Sequence, residues 1–259
     1  MATFLFDEII FGPVESRRLG VSLGINLLPT NAKVCSFDCI YCECGFTPKG
    51  YEEKVKLPTR AEVREKLEEK LLQMKAEKRL PDVITFAGNG EPTLHREFPE
   101  IINDTIELRD KLAPEARIAV LSNATMIHRK PVFDALLKIK DNIQKLDSVF
   151  EDTVQILDCP TGGFNLKRTI EQLIAFNGKV IIQTMFLRGS FKGQQVDNTT
   201  EEEISAWLEV LKKINPLQVM IYTIARDTPV ETLEKASLDE LNSIAQRVRQ
   251  AGLDVQVSG

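Results

Sequence analysis

The chain has 259 residues, 43% of them hydrophobic and 27% charged, with a formal net charge of −5. This is ordinary for a globular protein, and the length suits a single domain over residues 1–259, since α/β barrels reach this size undivided. No apolar run approaches the ~20 residues of a bilayer-spanning helix, and the acidic balance argues against general affinity for nucleic acid. The first residues lack a basic region followed by a long apolar segment, so no secretory leader is expected and a cytoplasmic location follows. Of five cysteines, four lie between positions 35 and 44, which fits metal ligation in a reducing compartment better than a disulfide framework.

In chain order, the first strand is expected over 21–27, followed by a cysteine loop over 30–50. Thr59 caps a helix running to 75, with Glu62 as its capping-box partner and Leu67, Leu71 and Leu72 at helical spacing. Strands over 83–87, 118–121, 146–149, 179–186, 218–223 and 254–257 then alternate with helices over 97–112, 132–139, 166–176, 202–214 and 238–250, the last stopped by Gly252. Short, continuous, β-branched strands between helices read as a parallel sheet buried on both faces. The expected architecture is α/β: a partial (β/α)6 TIM-like barrel, with ligands beyond the carboxyl ends of the strands. The cysteine loop follows the first strand, at that end.

Cys35, Cys39 and Cys42 stand in C-x3-C-x2-C spacing. Three thiolates on one loop can hold three corners of a [4Fe-4S] cluster and leave one iron open to a small molecule. With Cys44 as a fourth thiolate, the same loop could instead hold a structural zinc in a non-catalytic module, although such sites usually draw their ligands as two separated pairs. If Cys44 is no ligand, it is a spare thiol.

The spacing, with Phe37 before the second cysteine and Tyr41 before the third, resembles the signature of the radical S-adenosylmethionine (SAM) superfamily. The lead-in over 11–20 and the run Gly24-Ile25-Asn26-Leu27-Leu28-Pro29 are similar to the branch that includes the wyosine-base synthases. The resemblance implies a [4Fe-4S] cluster on the three cysteines and SAM chelated at the open iron. It further implies cleavage of SAM to methionine and a 5′-deoxyadenosyl radical, which takes a hydrogen atom from a substrate. An external electron donor such as flavodoxin or ferredoxin would reduce the cluster. Gly88-Asn89-Gly90-Glu91-Pro92 resembles the superfamily's Gly-Gly-Glu element, with Asn89 inserted between the glycines, and this implies contact with the SAM amino group. By the same resemblance Tyr41 belongs to the cofactor loop, and Tyr222, Thr223 and Ile224 would meet adenine through backbone groups.

The residues support parts of this directly. Glycines 88 and 90 permit close backbone approach, and the Glu91 carboxylate can meet an ammonium, although a plain turn fits as well. Ser122 and Asn123 can reach the ribose or carboxylate of SAM, or can form a capping turn. Gln183, Met185 and Arg188 lie on or after the fifth strand, and Arg188 is either a partner for the SAM carboxylate or a surface residue. Lys145 and Asp147 project to one side of the fourth strand, a costly pair if buried without a ligand. Cys159, after that strand, is either an inert thiol or a catalytic residue that donates a hydrogen atom or binds substrate. His95 and His128 have no partners at ligand spacing and read as structural or solvent-facing. Two cysteines outside the motif are too few for a second, fully cysteine-ligated cluster. The substrate is a small molecule, a peptide or tRNA; in the tRNA case Arg17, Arg18, Lys33, Lys49 and Lys54 would supply a basic patch around the loop.

Overall fold

The computed structural model describes residues 4–16, 19–48 and 56–259. The chain forms β1 (Ile10–Ser16), β2 (Gly20–Ile25), α1 (Arg60–Ala76), β3 (Val83–Phe86), α2 (Phe98–Leu112), β4 (Arg117–Ser122), α3 (Lys130–Leu136), β5 (Asp141–Lys145), α4 (Glu151–Leu157), α5 (Leu166–Ala175) and β6 (Ile181–Met185). There follow β7 (Leu187–Phe191), β8 (Gln194–Asp197), α6 (Glu201–Ile214), β9 (Gln218–Tyr222), β10 (Leu233–Lys235), α7 (Leu238–Gln250) and β11 (Val255–Ser258). The main sheet has eight strands in the order β1-β2-β3-β4-β5-β6-β9-β11. Every neighbouring pair is parallel except β1 with β2. The sheet curls into a half-barrel, as the sequence leads one to expect.

Strand alternation separates two faces. Leu23, Ile25, Ile84, Phe86, Ile118, Val120, Ile182, Val219 and Ile221 point outward and pack under the helices, against Val63, Leu67 and Leu71 of α1 and Trp207 of α6. Val83, Ala119, Ile143, Ile181 and Met220 point inward and fill the barrel floor with Leu19. α1 begins as expected, with a complete Thr59–Glu62 capping box.

The structure corrects the sequence reading in four places. The fourth parallel strand is Asp141–Lys145, not 146–149, which is the loop beyond it. Its polar residues hide it from an apolar count, yet each has a partner: Asp141 with Arg117 Nη1 at 2.6 Å, Asn142 Nδ2 with Lys179 O at 3.1 Å, and Gln144 Nε2 with Asn142 Oδ1 at 2.6 Å. β1 adds an antiparallel edge strand, masked in the sequence by Pro13. The expected strand over 179–186 stops at Met185, and β7 leaves the barrel to form a second, antiparallel sheet in the order β10-β7-β8. The short helix α4 had no counterpart in the sequence reading.

Candidate functional site

The cysteine loop is clamped between two other segments. On one side Val34 pairs in parallel with Gly90: Val34 N donates to Asn89 O at 2.8 Å, and Glu91 N donates to Val34 O at 3.1 Å. Gly90 has φ +136°, and a Cβ there would stand 1.8 Å from Val34 O, so only glycine lets the two backbones meet. On the other side Phe37 bridges Pro160, Asp38 N donates to Cys159 O at 3.2 Å, Ile40 N to Leu157 O at 2.9 Å and Thr161 N to Ser36 O at 2.8 Å. The loop after β3 and the end of α4 therefore fix the thiols between them.

Around the loop lies one apolar cluster. Phe37, Cys39, Ile40, Tyr41, Leu157, Met185, Leu187 and Val196 are buried in it, with Cys35, Cys42, Cys159, Tyr222 and Ile224 partly buried against it. Gln183 joins this group through its Nε2, which donates to the Tyr222 hydroxyl at 2.9 Å. The fold thus gathers the three motif cysteines and most of the residues singled out after strands β5, β6 and β9.

Arg188 is not gathered there. Its guanidinium pairs with Glu240 and with Asp197 at 3.5 Å, and it lines a separate cavity of about 690 Å³ with Phe150, Thr153 and Glu203. β7, which carries it, has already left the barrel.

The Gly88–Pro92 segment is committed to internal bonds. The buried Asn89 side chain donates to Phe6 O and Pro29 O, both at 2.8 Å, and accepts from Phe6 N at 2.8 Å, tying three separate segments together. Buried Glu91 accepts from Asn123 N at 2.6 Å, from Thr93 N at 3.0 Å and from the Thr93 hydroxyl. Burial pushes its carboxyl above the ordinary range against the pull of those donors. A SAM contact from this side chain would share oxygens that already accept these bonds. Asn123 carries the connection to the cysteines, its Nδ2 donating to Ser36 Oγ at 2.9 Å and lying 3.5 Å from Cys35 Sγ, while Ser122 Oγ accepts from Ala124 N at 3.1 Å. Glu91→Ala would strand buried donors at ~1–3 kcal/mol each, so the ligand-free protein should lose about 2–4 kcal/mol in denaturant unfolding. An unchanged midpoint would show that these bonds carry no stability.

Two buried ammoniums flank the thiols. Lys33, 2% exposed, donates to Gly45 O at 2.8 Å and to Asp38 at 3.3 Å. This corrects its place in a surface basic patch; Arg17, Arg18, Lys49 and Lys54 lie outside the described residues. Beneath Cys39, Lys145 meets Asp147, the Tyr41 hydroxyl and Asp158, the last at 2.9 Å, and Tyr41 also donates to Asp147. Lys145 and Asp147 are thus the buried pair that their spacing raised, completed by Asp158, which no sequence signal marked. Burial opposes both ammoniums, but the thiols around Lys33 and the carboxylates around Lys145 outweigh it and hold each above the ordinary lysine value. Burial pushes Cys35 up to about 12, whereas the Cys44 thiol beside Cys42 holds that thiol down to about 6, with Lys33 assisting.

The remaining residues have local roles in the structure. Cys44 Sγ faces Gly88 O at 3.6 Å. Cys159 takes a positive φ of 41°, and its thiol donates to Ile156 O at 3.3 Å. His95 is buried, Nε2 against Pro58 O at 2.7 Å and Nδ1 accepting from Glu97 N at 3.1 Å, while His128 Nδ1 meets Thr125 O at 2.9 Å. Among the described residues, no three His, Cys, Asp or Glu side chains converge as a single ion would require. Convergence on one atom is the demand of mononuclear zinc; in a cluster each thiolate takes its own iron. Three interacting thiols on one buried loop, countered by buried positive charge, fit a [4Fe-4S] cluster in donor chemistry and electrostatics.

A curled parallel sheet with three clamped cysteines after its first parallel strand defines a class, and the comparisons agree with it. The radical SAM superfamily is matched over residues 32–189, and the chain belongs to that superfamily. Within it, the chain is 33% identical to a UPF0026 protein from Methanocaldococcus jannaschii, over 91% of this chain and 70% of that one. It is 32% identical to a UPF0026 protein from a Synechocystis strain, over 86% and 77%. Its fold is similar to a radical SAM methyltransferase from Sphaerobacter thermophilus, with a TM-score of 0.67 and 15% identity over 92% of this chain and 65% of that one. It is also similar to TYW1 bearing a lysine-pyruvate adduct, with a TM-score of 0.60 and 15% identity over 88% and 73%. No described helix is long and apolar enough to cross a membrane.

Proposed function

We propose that the chain is a radical SAM enzyme in which Cys35, Cys39 and Cys42 hold a [4Fe-4S] cluster whose open iron binds SAM. When bound and reduced, the cluster supplies the electron that splits SAM into methionine and a 5′-deoxyadenosyl radical. The observation that carries this reading is the clamped three-thiol loop at the carboxyl end of the parallel sheet, in a chain of this superfamily.

The protein's own part is positioning and exclusion. Gly90 and Val34 hold the loop against β3, and Asn123 reaches from β4 to the Cys35 sulfur. The apolar cluster of Phe37, Ile40, Leu157 and Leu187 keeps water from the thiols. By the family resemblance, Gly88 to Pro92, Ser122, Asn123, Gln183, Tyr222 and Ile224 are the residues that would bind SAM. Glu91 contributes there through the backbone it orders. Cys159, at the edge of the same cluster, is the candidate hydrogen donor. The substrate is a small molecule, a peptide or a tRNA base, and the electron donor is a flavodoxin- or ferredoxin-type protein.

The test is anaerobic reconstitution with iron and sulfide, followed by dithionite and SAM. The expected result is 5′-deoxyadenosine and methionine formed together. Zinc at about one per chain with no 5′-deoxyadenosine would favour the non-catalytic module instead.

A further inference from the structure

We propose that Lys33 is a fixed countercharge that raises the reduction potential of the cluster; the proposal rests on the cluster reading above. Lysine is almost never fully buried without a reason in its surroundings, yet Lys33 is among the largest fully buried side chains of the described residues. It lies two positions before Cys35, in the chain that leads into the loop. Its ammonium turns back across the loop to Gly45 O at 2.8 Å and stands beside the Cys42 thiol. Gly45 N in turn donates to Cys42 O at 2.8 Å, so the ammonium is fixed on the segment that carries the third cysteine.

A cluster on three thiolates carries net negative charge, and a second negative charge arrives on one-electron reduction. A buried positive charge favours the more negative, reduced state, because low dielectric leaves the attraction poorly screened. Buried Glu91 opposes it on the Cys35 side, but its charge is drawn onto Asn123 N, Thr93 N and the Thr93 hydroxyl. Asp38, at 3.3 Å from the ammonium, is partly exposed and also accepts from Thr47 N at 2.8 Å, so solvent and that donor share its charge. Lys145 is the other buried ammonium near the thiols, but it faces two carboxylates, Asp147 and Asp158, and brings no net positive charge. Among the described residues, Lys33 is therefore the side chain that gives the loop its surplus. The bland account is a strut: Lys33 merely ties Gly45 to the segment before Cys35. Both accounts predict a damaged loop on truncation, and only the charge account predicts a changed potential in an intact cluster.

The experiment is a potentiometric titration of the reconstituted protein with dithionite and mediators, followed by the electron paramagnetic resonance signal of the reduced cluster, with iron counted for each variant. At the potential where the wild type is half reduced, Lys33→Met should have its reduced-to-oxidised ratio lowered at least about tenfold, which is ~59 mV for a one-electron couple. Lys33→Arg, which keeps the charge, should stay within about threefold of the wild type, ~30 mV on the same scale. Where Lys33→Met loses its iron, Lys33→Gln, which keeps a donor for Gly45 O but not the charge, decides: a potential lowered as far supports the countercharge, and the wild-type potential overturns it. A full complement of iron in Lys33→Met with the wild-type potential would overturn it. So would loss of iron from both neutral variants, which would mark a strut that tolerates no change of shape. A wild-type protein that takes up no iron would instead overturn the cluster reading.

Discussion

Replacing Cys35, Cys39 or Cys42 by alanine is expected to abolish the cluster, from about four iron and four sulfide per chain to almost none, whereas Cys44→Ala should keep it. The distinction follows from placement. The three motif cysteines lie in one apolar cluster, while the Cys44 thiol, although beside that of Cys42, lies outside that cluster and faces Gly88 O at 3.6 Å. Without iron, the motif thiols lose their role but not their packing, so the alanine variants should stay folded, and 5′-deoxyadenosine formation should disappear with the iron. Anaerobic iron and sulfide analysis checks both halves. Loss of iron from Cys44→Ala alone would make Cys44 a ligand and bring back the four-thiolate reading.

The second large effect concerns the buried network under Cys39. Lys145→Met removes the only cation facing Asp147 and Asp158 among the described residues, whose side chains are 0% and 3% exposed. Breaking a buried pair from one side leaves uncompensated charge at a cost of ~3–5 kcal/mol, a large fraction of the ~5–15 kcal/mol that holds a domain together. The variant should therefore unfold at a much lower urea concentration with an unchanged slope, measured on cluster-free protein. Burial already pushes Asp158 up to about 7 with Lys145 present, so the loss should be largest above that pH, where both carboxylates are charged, and Asp158→Asn in the same background should then restore part of it. A midpoint within about 0.5 kcal/mol of the wild type would mean that water, not Lys145, compensates these carboxylates.

The cysteine loop was legible because its information is local: three cysteines within eight positions. The half-barrel was legible for a related reason. Parallel strands covered on both faces are mostly apolar and β-branched, so Val83–Phe86 and Ile181–Met185 stand out in the sequence without knowledge of their neighbours. The fourth strand failed that test, since its polar side chains are tolerated only through partners on other elements, such as Arg117 and Lys179.

What only the tertiary structure decided is where charge and hydrogen bonds end. Tyr41 and Asp147 are 106 positions apart and share a hydrogen bond, and Asp158 joins them without any motif. Glu91, marked in the sequence as a carboxylate for a ligand's ammonium, spends its oxygens on Asn123 and Thr93, and Lys33, marked as a surface charge, is buried against the cysteines. By itself the sequence determined the superfamily signature, the three-cysteine motif and the alternation of strands and helices, because each is set by short spacing and side-chain chemistry. The electrostatic surroundings of the thiols are set by contacts between distant segments, which exist only once the sheet has curled and the loops at its carboxyl end have closed on one another.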